Sequence, residues 1–401
     1  MLRFLTAGES HGKALVAILE GVPAGLAIDV DAITADLRRR QTGYGRGRRM
    51  AIESDRAEPL SGVRHGVSTG APIALLVPNK DWENWQRTMY AEAAMPAEAS
   101  GADRPPVTRP RPGHADLAGF VKYGHDDMRN VLERASARET TARVAAGAIA
   151  RQLLRVVGTE VVSHVASIGA ATLADPLAIT FEQVRAISAD APLHCADPAV
   201  EQQMIAEIDR AREAGDTMGG SFEVIAHAVP PGLGSYAQWD RKLDGRLAQA
   251  LMSIPAIKAV GIGRGPAVAE LPGSRVHDEI LPAGPDQDAL FPITRPTNNA
   301  GGLEGGVTNG EDLRITAYMK PISTLMKPLR SVDLTTMTES PATVERSDVC
   351  AVPAAAVVGE AMVAFVLADA LLEKFGGDSI DELVANWQAF RTRTAARFER
   401  H

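Results

Sequence analysis

Cysteine and aromatic residues are scarce in this chain. Its 401 residues include only two cysteines, Cys195 and Cys350, which are far apart and lack the spacing of metal ligands. This excludes a disulfide framework and makes a reducing cytoplasm the expected location. Phe, Trp and Tyr together make up 4% of the residues, which argues against a protein that stacks single-stranded nucleic acid on aromatic platforms.

Positive charge is also in short supply, because Asp and Glu outnumber Lys and Arg by 50 to 42 and the net charge is −8. The surface as a whole repels polyanions, so any anion must be bound by a local cluster of arginines. The chain begins with a single Arg before a Gly-rich motif, and we expect no signal peptide. The most apolar stretch, 349–372, contains Glu360 and Asp369, and it is therefore expected to be a buried helix and not a membrane span.

The length and the 45% hydrophobic content suit a large globular protein, either one two-lobed domain or two to three smaller units. Apolar and alternating runs predict strands at 2–6, 13–19, 71–77, 222–229 and 313–319. Helical patterns and caps predict helices from Asp29 or Asp31 to about Arg40, from a capping box at Ser136 and Glu139 to about Val157, from Asp240 to Lys258, from about Pro353 to Phe375, and from Ser379 onward. The residues thus predict a mixed α and β protein in one large unit.

The sequence Gly-Glu-Ser-His-Gly at 8–12 is the first candidate site. Glycines on both sides let a ligand approach His11 closely, and imidazole is the side chain best able to exchange a proton near neutral pH. The simpler interpretation is a surface histidine in a Gly-rich turn. A second histidine, His114, occurs in a similar setting at 109–116, where prolines between arginines stiffen the backbone.

Arginines are clustered near positions that could bind anions. Six of them lie between positions 38 and 49 with three glycines among them, which suits a phosphate or a carboxylate, although a solvated basic loop would have the same composition. Arg134 and Arg138 lie at a predicted helix N-terminus, where the helix dipole also favours an anion. Residues 320–324 place a lysine and two hydroxyl groups directly after a strand, and residues 298–306 form a Gly-dense loop.

The irregular stretch 79–112 is too long for an ordinary connection, and we interpret it as a lid that closes over a ligand. The Gly-Ile-Gly-Arg-Gly segment at 261–265 lacks the strand–helix context of a dinucleotide-binding fingerprint.

Three of these segments, 8–12, 133–140 and 346–353, resemble the three signature motifs of the chorismate synthase family, and 109–116 and 320–324 also resemble that family's pattern. The likeness extends over nearly the whole chain. Each motif alone is moderately specific, whereas all of them in this order and at these spacings are highly specific.

The resemblance implies an enzyme that converts 5-enolpyruvylshikimate 3-phosphate to chorismate and phosphate by an anti-1,4-elimination, the last step of the shikimate pathway. It implies a need for reduced FMN without net redox change: transient electron donation from the flavin eases loss of the phosphate, after which the flavin takes the proton. Substrate and cofactor bring two phosphates and two carboxylates, which accounts for arginine clusters on an acidic protein. The implied fold is a single domain over 1–401, a β-α-β sandwich with helices between sheets that assembles as a homotetramer.

The resemblance also assigns roles to residues. His11 is expected to protonate the leaving phosphate, His114 to support the reduced flavin near N1, and Asp348 to assist proton transfer at flavin N5. The positions expected to contact FMN are Arg134, Ala135, Ser136, Pro255, Ala256, Gly305, Lys320, Pro321, Ile322, Ser323, Thr324 and Arg346. The positions expected to bind substrate or NADPH are Arg40, Arg46, Arg49 and Arg138.

Arg40 and Arg46 match positions that bind NADPH in the family. We interpret them as contacts for the anionic groups of the substrate, because NADPH serves only those members that reduce their own flavin.

One loop departs from the family pattern. Where many members have an acidic residue followed by Gly-Asp-Gly-Phe, this chain has Gly-Ile-Gly-Arg-Gly-Pro at 261–266.

Two other functions share some of the same features. A flavin-dependent NAD(P)H oxidoreductase would have the flavin contacts but would oxidise NADPH without the substrate. An RNA-binding protein could use the arginines at 38–49 but would need a broadly basic face and exposed aromatic residues.

Overall fold

The computed structural model describes residues 1–47, 54–283, 292–345 and 347–398, and it has helices layered between two antiparallel sheets. The strands are β1 (Arg3–Ala7), β2 (Ala14–Glu20), β3 (Glu58–Pro59), β4 (Val63–Arg64), β5 (Val67–Ser68), β6 (Ile73–Pro78), β7 (Glu160–Ile168), β8 (Ala171–Thr172), β9 (Gly220–His227), β10 (Ile257–Ile262), β11 (Leu281–Pro282), β12 (Ile293–Thr294), β13 (Leu303–Glu304), β14 (Val307–Thr308), β15 (Leu313–Met319), β16 (Arg330–Asp333) and β17 (Thr338–Pro341). The helices are α1 (Val30–Gln41), α2 (Gln86–Met89), α3 (Asp116–Tyr123), α4 (Arg129–Arg134), α5 (Thr140–Arg155), α6 (Phe181–Arg185), α7 (Pro198–Glu213), α8 (Leu243–Met252), α9 (Gly273–Val276), α10 (Val352–Phe375) and α11 (Ile380–Phe398).

The first sheet has the strand order β1-β2-β6-β3 and confirms the three strands predicted in the first 80 residues. Leu15, Ala17 and Leu19 alternate along β2 and are buried on its inner face. On the outer face Leu5 of β1 lies directly opposite Ile18 of β2, and both side chains are exposed. The period of two thus separates a core face from a face that carries apolar residues into solvent.

The second sheet has the order β10-β15-β9-β7-β8, with the predicted strand β15 near its centre. Leu313, Ile315 and Ala317 are buried on one face of β15. On the other face Arg314 pairs with Glu223 at 2.7 Å, and Glu223 also contacts the fully buried His164 at 2.9 Å. His164 is therefore a structural histidine.

Two long helices fill the space between the sheets. Helix α5 packs on β2 and β6 of the first sheet, α10 packs on β7 and β9 of the second, and the two helices contact each other. They approach so closely that a Cβ at Gly147 would lie 2.4 Å from the Cβ of Ala361. Helix α10 is long and apolar enough to cross a membrane, yet 89% of its most apolar window is buried inside the protein. The predicted buried helix is confirmed, and it ends before Gly376 as expected.

Two predicted helix boundaries are wrong. Ser136 caps a short 3₁₀ turn at 137–139 by accepting the N–H of Arg138, and α5 begins only at Thr140. Glu139 does not complete a capping box, because its carboxylate accepts hydrogen bonds from Thr6 and Arg143 instead. The helix predicted from Asp240 to Lys258 covers only 243–252, since Ala256 has a positive φ of 70° and the chain then enters β10.

The single carboxylate in the middle of α10 is neutralised by cations from the neighbouring layers. Glu360 is 1% exposed and lies 2.6 Å from Arg39 of α1 and 3.1 Å from Arg151 of α5, and it accepts the hydroxyl of Ser163 at 2.6 Å. Burial alone would raise the pKa of Glu360, but the two arginines outweigh it and lower the pKa to about 2. The charge is thus compatible with the core because it is paired.

Replacing Glu360 with Gln should destabilise the protein by about 2 kcal/mol at neutral pH, because Arg39 and Arg151 lose a buried carboxylate and keep only Asp36 as a counterion. The contribution of a carboxylate with a depressed pKa is present above its usual pKa of 4.5 and is lost as the pH falls toward about 2. The difference in urea unfolding free energy between the two proteins should therefore shrink between those pH values.

Glu373 is the matched control because it lies on the same helix but forms exposed ion pairs with Arg241 and Arg246. Its replacement with Gln should cost less than about 1 kcal/mol. An equal loss of stability in both variants would contradict the role assigned to the buried carboxylate.

Candidate active site

His11 lies in the turn between β1 and β2 and is held from two directions. Its backbone N–H donates to Glu133 at 2.8 Å, and its Nδ1 lies 2.9 and 3.0 Å from the two oxygens of the same carboxylate. The indole of Trp85 stacks on the imidazole with the ring centroids 3.8 Å apart. Because a carboxylate only accepts hydrogen bonds, Nδ1 carries a proton toward Glu133, and Nε2 is the ring nitrogen left for a ligand.

The groups that hold His11 are themselves fixed. Glu133 is 1% exposed, and the buried Trp85 donates its Nε1–H to Asp81 at 3.1 Å. Gly8, at the start of the turn, has a φ of +103°, and a Cβ there would lie 2.3 Å from the carbonyl oxygen of Ala14. Only glycine fits that backbone, which explains the first position of the motif.

Arg129 adds a buried cation beside this histidine. It lies one helical turn before Glu133 on α4, with a guanidinium nitrogen 3.9 Å from that carboxylate and its guanidinium carbon 5.4 Å from the ring centroid of Trp85. Its Nε and one Nη are buried and donate to no group in the described parts of the chain. Unused, buried donors of a cation favour binding of an anion here.

His114 is also oriented by a carboxylate. Its Nδ1 lies 2.6 Å from Asp116, which is fully buried at the start of α3. Arg111 donates to the same carboxylate from Nε at 2.8 Å and from its backbone N–H at 3.1 Å. Burial would raise the pKa of Asp116, but the hydrogen bonds from His114 and Arg111 and the charge of Arg111 hold it well below its usual range. The carboxylate therefore remains charged and fixes the proton on Nδ1.

The segment that carries His114 packs against residues 320–324, about 200 positions later in the chain. Arg111 donates from Nη1 to the hydroxyl of Thr324 at 3.0 Å, and Lys320 donates to the carbonyl of Gly113. Burial, with the charge of Lys258, lowers the pKa of Lys320. The backbone N–H of Lys320 in turn donates to the carbonyl of Ala256 at 3.0 Å. Three predicted cofactor segments, around Gly113, Ala256 and Lys320, are therefore neighbours.

Arg134 and Ser136 lie beside the turn that carries His11. Arg134 is partly exposed and donates to the carbonyls of Thr6 and Gly8, at the end of β1. The hydroxyl of Ser136 lies 3.1 Å from that of Ser10, beside His11. Ala135, between them, ends α4. The run 134–136 thus lies along the turn that presents the first histidine.

Asp348 meets the arginine loop from the other end of the sequence. Its carboxylate lies 2.7 Å from Arg46 and accepts the backbone N–H of Gly47 at 2.6 Å. The N–H of Val349 donates to the carbonyl of Gly45 at 2.8 Å, which fixes this pairing at the start of α10. Within the described residues, Arg46 keeps a buried Nε without an acceptor.

Arg40 lies beneath this loop and is 3% exposed. It donates from Nε to Thr140 at 2.9 Å and from Nη2 to the carbonyl of Ala137 at 2.8 Å, whereas its Nη1 has no acceptor in the described parts of the chain. Burial, together with the nearby Arg46 and Arg138, lowers the pKa of Arg40 to about 9, so it is still a cation at neutral pH. A bound anion would relieve the repulsion among these three cations.

Arg138 lies beside the turn that carries His11. It is buried against Asp55 at 2.6 Å and Asn79 at 2.9 Å, and Asn79 also donates to the carbonyl of Gly12 at 2.8 Å. Gly305 lies in the β13–β14 hairpin, beside the N-terminus of α8, whereas Ala256 follows the other end of that helix, about 15 Å away. The expected contact of Gly305 with the cofactor stays a prediction. Arg49 and Arg346 lie outside the described residues.

The stretch 79–112 is more structured than the sequence suggests. It contains a 3₁₀ turn at 80–84 and the short helix α2, and Trp85 and Val107 are buried. Its closure as a lid stays a prediction.

Three residues around His11 were not predicted as site residues from the sequence: Glu133, Trp85 and Arg129. Arg129 and Glu133 are four residues apart and so share one helix face, and Trp85 is one of only four tryptophans. Both signals were available, but neither identifies His11 as the partner.

Two open clefts of about 400 Å³ each are lined by neither His11 nor His114. One cleft is lined in part by His277 and Asn299 and the other by Lys374 and Phe390, and Glu304 borders both. No group of three or more metal-binding side chains occurs among the residues that the structure describes. The arrangement around the histidines thus offers two oriented imidazoles and several cations with unused donors, which suits acid–base chemistry on an anionic ligand.

The sequence matches known proteins along nearly its whole length. The model of the chorismate synthase family matches residues 2–372. The chain is 56% identical over 396 residues to a chorismate synthase of Desulforudis audaxviator, with 99% of each chain covered. It is 53% identical over 396 residues to one of Symbiobacterium thermophilum, covering 99% of this chain and 100% of that one.

The fold is matched as well. A crystal structure of chorismate synthase is similar to this structure with a TM-score of 0.77 and 41% sequence identity, and the match covers 98% of both chains.

Proposed function

The chain belongs to the chorismate synthase family, and we propose that it binds reduced FMN to convert 5-enolpyruvylshikimate 3-phosphate to chorismate and phosphate. Family membership makes it a carbon–oxygen lyase of aromatic amino acid biosynthesis and does not favour a flavin-dependent NAD(P)H oxidoreductase. The observation that carries the proposed chemistry is the pair of carboxylate-oriented histidines, His11 and His114, amid arginines with unused donors.

The residues present suit an anionic cofactor and an anionic substrate. Arg129, Arg46 and Arg40 each keep a buried donor that has no acceptor in the described residues, as expected of side chains that meet phosphate or carboxylate. Lys320, which contacts both Gly113 and Ala256, and Ser323, which lies by Gly113, would hold FMN together with Arg134 beside the His11 turn. The chemistry that reduced FMN supplies when bound is transient donation of electron density, which eases cleavage of the carbon–oxygen bond.

Proton movement is assigned to side chains at stated atoms. The imidazolium form of His11 donates the proton on Nε2 to the departing phosphate, and the Nδ1–H stays hydrogen-bonded to the carboxylate of Glu133. Arg129 stabilises the negative charge that develops on that phosphate. His114, fixed by Asp116, supports the reduced cofactor, and Asp348, which contacts Arg46, assists removal of the substrate proton.

Arg40 and Arg46 are assigned to the substrate and not to NADPH. Arg40 lies at the base of the site and is too deeply buried for contact with a dinucleotide on the surface. NADPH would then serve only to reduce the flavin.

An anaerobic assay tests the proposed function. Purified protein is mixed with the enolpyruvyl substrate and dithionite-reduced FMN, and chorismate absorbance is followed. We expect chorismate to form, and repetition with NADPH in place of dithionite identifies a chain that reduces its own flavin. Absence of product from folded, FMN-binding protein would overturn the proposal and favour the oxidoreductase.

Replacement of either histidine by alanine should lower kcat by about 10²- to 10⁴-fold, the usual contribution of a general acid or base, with FMN affinity retained. The measurement is kcat in the anaerobic assay together with an FMN titration. His277, which is exposed and lies by the cleft near Asn299, is the control, and H277A should keep wild-type turnover. A near-wild-type rate in H11A or H114A would refute the role of that residue.

We also propose that the protein is a cytoplasmic homotetramer that acts on a small molecule. Both cysteines are free and buried, and burial raises the pKa of each thiol to about 11, as suits a reducing compartment. The outer face of the first sheet exposes Leu5, Ile18 and Leu60 in one row, with Ala74 between the last two and relative exposures of 74%, 43% and 56%, which supports burial against another copy.

The assembly should be evident in solution as a species of about four chain masses by sedimentation velocity at micromolar concentration. Replacement of Leu5 and Ile18 with Lys should shift the protein to smaller species, because a charge on each side of an apolar interface is costly to bury. A monomeric wild-type protein would contradict the proposal.

A further inference from the structure

Glu133 and Trp85 both contact His11, and neither contact is explained by the need to pack a turn. We propose that the two side chains are positioning residues that fix the tautomer and the plane of the His11 imidazole, so that Nε2 is directed at the leaving group. This inference rests on the role given to His11 in the proposed function.

Glu133 fixes the edge of the ring. Its backbone carbonyl accepts the N–H of Ser10 at 3.0 Å, and its carboxylate accepts the N–H of His11 at 2.8 Å as well as the ring Nδ1 at 2.9 Å. One buried residue thus holds two consecutive backbone amides and the side chain that the second one bears. The backbone contacts keep the carboxylate beside Nδ1, so rotation of the imidazole away from it would leave a buried carboxylate oxygen without its ring partner.

Trp85 fixes the plane of the ring. The ring centroids of the imidazole and the indole lie 3.8 Å apart with an angle of 19° between the ring planes. The imidazole therefore cannot tilt toward the indole without colliding with it. The indole is held by its hydrogen bond to Asp81, and the guanidinium carbon of Arg104 lies 3.9 Å from its ring centroid. Both Asp81 and Arg104 belong to the stretch 79–112, so this stretch contributes to the orientation of His11.

A carboxylate is needed at position 133 for a chemical reason. It offers two acceptor oxygens, one for the backbone N–H and one for Nδ1–H, and it has no donor. An amide of the same shape has one acceptor and an NH₂ group, which can donate to Nδ1 and so select the opposite tautomer. From the imidazolium form the N–H bond at Nε2 breaks, an O–H bond forms on the phosphate, and the ring is left neutral with its proton on Nδ1, where the carboxylate accepts it.

The Glu133→Gln variant separates orientation from packing. We expect kcat to fall by about 100-fold, because an amide that donates to Nδ1 does not stabilise the imidazolium that gives up its Nε2 proton, with KM within about threefold of wild type since no substrate contact is removed. Glu201→Gln is the control: Glu201 is also buried and accepts the N–H groups of Leu193 and Cys195 on a different loop. A wild-type kcat in E133Q, or an equal fall in E201Q, would overturn the proposal.

Variants at Trp85 test the second contact without touching the carboxylate. W85L should lower kcat by about fivefold, as expected for loss of one aromatic stack, and W85F, which keeps a ring over the imidazole, should recover most of it. Trp387 of α11 is the control. It packs on Phe375 of α10 and Phe390 of α11, and W387F should have no effect on kcat. Equal rates in W85L and wild type would show that the stack does not position His11.

The tautomer itself can be read from ¹⁵N solid-state NMR of histidine-labelled protein, with the His11 signals assigned by their loss in H11N. We expect the neutral ring of the wild type to carry its proton on Nδ1 and that of E133Q to carry it on Nε2. The spectrum requires no substrate, so it tests the positioning role of Glu133 even if the anaerobic assay fails. Conversely, chorismate formation by wild type with unchanged signals in E133Q would refute that positioning role and leave the proposed function intact.

Discussion

The fold depends on how charge is accommodated in the helical layer between the two sheets. Helix α10 is covered by protein on nearly all sides, so the carboxylate of Glu360 has no access to water and has to be paired inside the protein. Arg39 of α1 and Arg151 of α5 supply the pairing and thereby fix α1, α5 and α10 relative to one another. The next residue along the chain, Arg40, is consequently directed to the start of α5, beneath the loop that ends at Gly47. The same packing that buries the core places the first residues of the site.

His11 and His114 are oriented in the same way, each by a buried carboxylate. Glu133 and Asp116 are both nearly inaccessible to water, and each accepts a hydrogen bond from Nδ1 of its histidine, which orients the ring. Each carboxylate also has an arginine next to it, Arg129 in one case and Arg111 in the other. A site assembled in this way can hold a highly anionic substrate and cofactor on a protein whose net charge is −8, because cations are concentrated where they are needed.

Much of this arrangement was predictable because local sequence determines it. The alternation of β15, the long apolar run of α10, the Asp29 cap of α1 and the glycine turns around His11 all depend on neighbours within a few residues. The errors have the opposite origin. Glu139 has the spacing of a capping box, but Thr6 and Arg143 compete for its carboxylate. The residues after Met252 have a helical pattern, but the positive φ of Ala256 is incompatible with a right-handed helix. Ile257 instead pairs with Met319 in the second sheet.

The sequence by itself determined the membership of the family, because motifs of glycine, histidine and arginine are short and their order along the chain is specific. The periodicities of its segments determined a mixed α and β protein, whereas the layered fold followed only from the family resemblance. Only the tertiary structure decided what those residues do to one another. His11 and Glu133 are 122 positions apart, and Arg111 and Thr324 are 213 apart, so no local pattern can pair them. Hydrogen bonds and stacking require contact within about 4 Å, and contact between distant segments exists only after the helices and sheets have packed.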